Sequence, residues 1–76
     1  MCIAEALQSQ VQKFQQSTGE ETMVVVIEKR DDSMAIHRIG FSPFVGLMVD
    51  GKPPSPKWWQ DADRFHALQW PPAVLH

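Results

Sequence analysis

The sequence predicts one α+β domain in which an N-terminal and a C-terminal helix pack on a small antiparallel sheet of two or three strands. The chain has 76 residues, of which 43% are apolar, and this size and composition are typical of one globular domain over residues 1–76. Apolar residues recur at helical spacing near the N-terminus, and β-branched residues follow one another after residue 22. A Ser-Pro pair before a tryptophan-rich segment marks the start of a second helix.

The first element is a helix over residues 3–17. Its apolar residues form one stripe at a spacing of three or four: Ile3, Leu7, Val11 and Phe14. The remaining positions are rich in glutamine, an uncharged residue that favours helix. Gly19 is a suitable left-handed cap, so we expect the helix to end just before it.

A β-hairpin is predicted over residues 22–41. Residues 22–29 contain three valines and an isoleucine, which favour strand over helix. A polar turn at 30–33 leads into a returning strand. Residues 44–49 are a candidate third strand, although Gly46 weakens that interpretation.

The second helix is predicted over residues 56–68. Ser55 is a good N-cap and Pro56 a good first helical residue. Trp70-Pro71-Pro72 should end the helix, which leaves residues 71–76 as an extended C-terminal tail. Because Trp58 and Trp59 are adjacent, they cannot both face the core of a helix, and one of them should be half exposed.

The strand at 22–29 has apolar residues on both of its faces, which is unusual in a sheet with one face in water. Two arrangements satisfy this pattern. The two helices could lie on opposite faces of the sheet, or they could share one face while a second copy of the chain covers the other, as in a homodimer. The sequence leaves both open.

Composition excludes several classes of function. The net charge of −2 offers no broad positive field for nucleic acid or for an anionic membrane. The single cysteine, Cys2, rules out an internal disulfide and a cysteine-rich zinc site. No signal peptide and no membrane span are apparent, so we expect a cytoplasmic protein. The chain also lacks the common nucleotide, hydrolase and metal motifs, and we expect no cofactor, metal or catalytic residue.

The best local group of candidate binding residues falls on the predicted second helix. Trp59, Asp63, His66 and Trp70 share one stripe at i, i+4, i+7 and i+11, and Asp63 could contact His66. The tail adds two apolar residues, Val74 and Leu75. These six residues indicate a small non-catalytic module of bacterial or phage type that binds another protein, in an accessory or regulatory role.

Two other functions compete with this interpretation. A small metal-dependent or hydrolytic enzyme subunit could use Asp63, His66 and His37, although the candidate nucleophiles Ser33, Ser42 and Ser55 are each better explained by a turn or a cap. A weak single-stranded nucleic-acid module could stack bases on Trp58 and Trp59, but the basic residues near them are balanced by nearby aspartates.

Overall fold

Six elements follow one another along residues 2–68, the part of the chain that this computed structural model describes. They are α1 (Ile3–Thr18), β1 (Thr22–Lys29), β2 (Met34–Ser42), β3 (Gly46–Val49), α2 (Pro56–Asp61) and β4 (Ala62–Ala67). The helix, the hairpin and the third strand lie where the sequence predicts them, with ends that differ by one or two residues.

The four strands form one antiparallel sheet in the order β3-β2-β1-β4. β1 is therefore a central strand, which suits its β-branched sequence. The α+β class is confirmed, whereas the predicted number of two or three strands is too low, because β4 was predicted as helix.

The prediction of a helix over 56–68 is wrong beyond Asp61. The Ser55 hydroxyl accepts a hydrogen bond from the Trp58 N–H at 3.1 Å, so the helix does begin as predicted. Residues 62–67 then pair with the free edge of β1. That pairing satisfies a row of backbone groups on β1, and it outweighs the modest helix preference of the segment, since tertiary context regularly overrides local propensity.

Burial alternates along β1 from Thr22 to Glu28. Met23, Val25 and Ile27 are buried, while Val24 and Val26 between them are only half-buried. The cross-strand register places the buried β1 residues beside Ile39 of β2 and Phe65 of β4, among others, so one face of the sheet carries the core. Leu7 and Val11 of α1 complete that core and are fully buried.

Both helices lie on this one face of the sheet. The tryptophans of α2 pack against the same core as α1, and Trp58 also contacts His37, whose side chain is on the core face of β2. Of the two arrangements allowed by the sequence, the structure therefore has the shared face. No helix among residues 2–68 covers the opposite face.

Two further features hold α1 in place. Gly19 adopts the left-handed conformation (φ 76°) and its N–H bonds to the Gln15 carbonyl at 2.9 Å, as its sequence position predicts. The Gln15 amide in turn donates to the carbonyl oxygens of Glu21 and Phe41, which ties the end of α1 to the sheet. Within the described residues, neither helix is long and apolar enough to cross a membrane.

Candidate functional site

The face of the sheet opposite the helices, here called the open face, is the candidate functional site. The register arranges its side chains in three rows across β2, β1 and β4. The middle row is Ile36–Val26–His66, and the row towards the β1–β2 turn is Met34–Glu28–Arg64. The third row contains Arg38 and Val24. Leu68, which follows β4, lies next to Val24 and donates its backbone N–H to the Val24 carbonyl at 3.0 Å.

The centre of the open face is aliphatic. Met34 and Ile36 are 68% and 66% exposed, although both are large apolar residues paired with β1, Met34 at the start of β2 and Ile36 within it. Val24 and Val26 beside them are half-buried, and Leu68 is partly exposed. A single exposed aliphatic residue is normal on a protein surface, but a contiguous patch is typical of a binding surface.

One carboxylate lies on the open face, and two basic side chains hold it. Glu28 accepts a hydrogen bond from the His66 Nε2 and forms an ion pair with the Arg64 Nε at 3.0 Å. The hydrogen bond from His66 and the neighbouring Arg64 guanidinium lower the pKa of Glu28. The negative charge of Glu28 is thus compensated by its basic neighbours, while most of the Arg64 side chain is exposed to solvent.

Arg38 occupies the other end of the open face. Its guanidinium donates one hydrogen bond to the Thr22 hydroxyl at 3.1 Å, and it has no carboxylate partner within residues 2–68. It borders a shallow hollow of about 740 Å³ that Thr22, Gly40, Phe41 and Met48 also line. The open face therefore combines an aliphatic centre with an arginine at each end.

The predicted stripe of Trp59, Asp63, His66 and Trp70 is not formed. Residues 62–67 are a strand whose register shifts at Asp63, and Asp63 and His66 have different partners there instead of the expected pair. Asp63 instead lies 3.6 Å from Arg30 in a loose ion pair, and His66 lies on the open face beside Glu28.

Trp59 lies away from the open face. Both Trp58 and Trp59 are partly buried against the core and contact each other edge to face, with ring centroids 4.8 Å apart. The expectation that only one of them packs inward is therefore wrong, because the helix ends two residues later and both rings reach the core edge. Trp59 borders a hollow of about 390 Å³ between α1 and β4.

Three of the predicted binding residues, Trp70, Val74 and Leu75, lie outside the described residues. The predicted tail at 71–76 lies outside them as well.

The three residues considered for catalysis are not brought together. His37 is on the core face, where its Nδ1 lies 2.7 Å from the Asp50 carboxylate. Its Nε2 is buried and has no hydrogen-bond partner among residues 2–68, so a substrate has no path to it. His66 is on the opposite face of the sheet and Asp63 pairs with Arg30. This arrangement does not have the geometry of an acid–base or nucleophilic site.

Sequence reasoning missed the exposed residues Met34, Ile36 and Phe44. Phe44 lies in the β2–β3 turn and is 94% exposed. The two-sided apolar pattern of β1 was the signal for an uncovered face, but it could not show which neighbours on β2 share that face. Met34 and Ile36 become recognisable as surface residues only once the register pairs them with Glu28 and Val26.

Comparison with protein-family models, curated proteins and solved structures found no match to this chain. The functional argument therefore rests on the residues of the open face themselves.

Proposed function

We propose that this chain is a small non-catalytic module that binds another protein through the open face of its sheet. The observation that carries the proposal is the aliphatic patch on that face, where Met34 and Ile36 are about two thirds exposed next to half-buried valines. Burying such a patch against a partner favours association, because each Å² of apolar surface removed from water contributes roughly 25 cal/mol of favourable free energy.

The position of the patch also supports binding rather than folding as its purpose. Within residues 2–68, both helices and the eight buried apolar residues of the core lie on the other side of the sheet. The described fold therefore does not use the open face for its own packing. A two-layer domain of this kind can accept a third layer from a partner.

The experiment is a comparison of purified variants in binding to proteins of the source cell. The double variant Met34→Gln/Ile36→Gln removes the apolar centre without changing the charge. Phe44→Ser is the matched control, because it removes a more exposed apolar side chain outside the sheet. A partner that is retained by wild type and Phe44→Ser, lost by the double variant, and bound again as a purified protein would support the proposal.

Trp59→Ala tests the competing surface. If Trp59→Ala abolishes binding at unchanged melting temperature while Met34→Gln/Ile36→Gln retains it, the partner docks beside α2 and the open face is not the binding site. Loss of binding in Phe44→Ser alone would place the contact at the β2–β3 turn and contradict the proposal in the same way.

A further inference from the structure

The charges on the open face differ in sign from those of the whole chain. The four strands place two arginines and one glutamate on this face, together with His66, whereas the chain has a net charge of −2. Glu28 is already engaged by Arg64 and His66. Among the strand residues of this face, the charged groups that remain available to a partner are therefore the two arginines, while Glu21 and Asp50 border the same hollow as Arg38.

The two arginines bracket the aliphatic centre diagonally. Arg38 is opposite Val24 on one side of β1, and Arg64 is opposite Glu28 on the other side. Four residues along a strand and two strand spacings across the sheet put their Cα atoms about 17 Å apart. Arg38 has no carboxylate partner in the described residues, and Arg64, which pairs with Glu28 through its Nε, has a side chain that is 67% exposed. A guanidinium binds a carboxylate well because it presents two parallel donors.

We infer that the partner is an acidic amphipathic helix that lies diagonally across the open face. This inference rests on the proposed function and names the chemistry of its partner. Eleven residues of α-helix rise about 17 Å and complete three turns, so carboxylates at positions i and i+11 reach Arg64 and Arg38 from one side of the helix. Apolar residues at i+4 and i+7 then cover Val26 and Ile36 between them. The helix forms the third layer of an α/β/α sandwich.

The chemistry of the open face favours an acidic helix over a second copy of the chain and over a single-stranded nucleic acid. Two copies of the open face packed together would bring cationic rims against each other, which costs free energy when they are desolvated. A single-stranded nucleic acid would find phosphate partners in the arginines, but the centre of the face offers aliphatic side chains rather than the aromatic rings on which bases stack.

The experiment is a selection from a display library in which eleven to fourteen surface positions of a helical scaffold are randomised. Binders are selected on wild-type protein, and those that also bind Met34→Gln/Ile36→Gln are removed. We expect enrichment of Asp or Glu three turns apart with apolar residues between them. The enriched helix should bind Arg38→Gln/Arg64→Gln at least tenfold more weakly than wild type, and Lys57→Gln, altered at an exposed lysine of α2, as tightly as wild type.

The outcomes separate the inference from the function on which it rests. Binders that depend on Met34 and Ile36 but carry no acidic residues, or that tolerate Arg38→Gln/Arg64→Gln, would overturn the acidic helix and leave protein binding in place. Failure to obtain any binder that depends on the patch would contradict both. Two direct measurements cover the other occupants. If wild type sediments as a dimer and Met34→Gln/Ile36→Gln does not, the occupant of the open face is a second copy of the chain. If wild type binds an oligothymidylate and the double variant does not, the occupant is a nucleic acid. Either result would overturn the acidic helix.

Discussion

Leu7 is a fully buried residue of α1 that packs on the core face of the sheet. In a domain of this size few other side chains can close the space that its removal leaves. Phe44 is its opposite, a larger apolar side chain that is 94% exposed in the β2–β3 turn. The contribution of a residue to stability here follows from its burial and not from its hydrophobicity alone.

We expect Leu7→Ala to lower the free energy of unfolding by about 2–5 kcal/mol, because it removes buried methyl groups and leaves a cavity. Phe44→Ser should change it by less than about 0.5 kcal/mol. Urea unfolding followed by tryptophan fluorescence measures both. Equal losses in the two variants would mean that Phe44 is packed.

Asp50 is one of three carboxylates whose lowered pKa couples folding to acid pH. The backbone N–H of Arg38 and the Nδ1–H of His37 donate to its carboxylate and lower its pKa from the ordinary 3.8. Because the folded chain then binds the proton less readily than the unfolded chain, the stabilisation is present above the ordinary pKa. It is lost as the pH falls through the lowered folded value.

Asp50→Asn isolates this effect, because asparagine keeps the shape and also tolerates the positive φ of 52°. Between about pH 5 and pH 2, the free energy of unfolding of wild type should fall more steeply than that of Asp50→Asn. Urea titrations at each pH measure the two slopes. Parallel slopes would show that Asp50 does not contribute; Glu28 and Asp31, whose pKa values are also lowered, are present in both proteins.

At the scale of elements, the decisive feature is that α2 ends at Asp61 and β4 begins at Ala62. The residues from Pro56 to Ala67 satisfy a helical pattern in sequence, but β1 offers an unpaired edge to their second half. A strand at that edge buries Ala62 and half-buries Phe65, and it moves His66 to the open face. The element boundary thus decides which residues can form the site.

NMR secondary chemical shifts test this boundary directly. Residues 56–61 should have helical Cα and Cβ shifts and residues 62–67 extended ones. Helical shifts that continue to residue 67 would remove β4, and with it Arg64 and His66 from the open face.

Ser55→Ala tests the start of α2. The Ser55 hydroxyl caps the helix by accepting from the Trp58 N–H, so its loss should cost about 1 kcal/mol of unfolding free energy. Thermal unfolding measures it, and Ser55→Asp, which can still cap, serves as the control. A loss in Ser55→Asp as large as that in Ser55→Ala would indicate that the hydroxyl is needed for something other than capping.

At the scale of the whole molecule, residues 2–68 form a two-layer fold with helices on one side of the sheet and, on the other, an aliphatic face that carries two arginines. The core of residues 2–68 is complete without the open face. We therefore expect variants of the open face to retain stability, which is the property that the proposed function requires.

We accordingly expect Met34→Gln/Ile36→Gln to keep the free energy of unfolding within about 1 kcal/mol of wild type, since both side chains are mostly exposed before the change. Urea unfolding of the isolated chain measures it. A much larger loss would show that the open face is already packed in the free protein, and the proposal of an external partner would then fail.

Local sequence patterns were enough to predict the α+β class, α1, the β1–β2 hairpin and the start of α2. Each depends on neighbours within a few residues: the apolar stripe of α1, the valine run of β1, and the Ser55 cap. It also indicated that β1 has apolar residues on both faces, of which only one face is buried within residues 2–68. Only the tertiary structure decided that both helices share one face, that residues 62–67 are a strand, and that Arg38 and Arg64 bracket Val26 and Ile36. Those outcomes depend on strand register and on the free edge of β1. The β1–β4 pairs join residues more than thirty positions apart, and such pairing leaves no periodic signal in the chain.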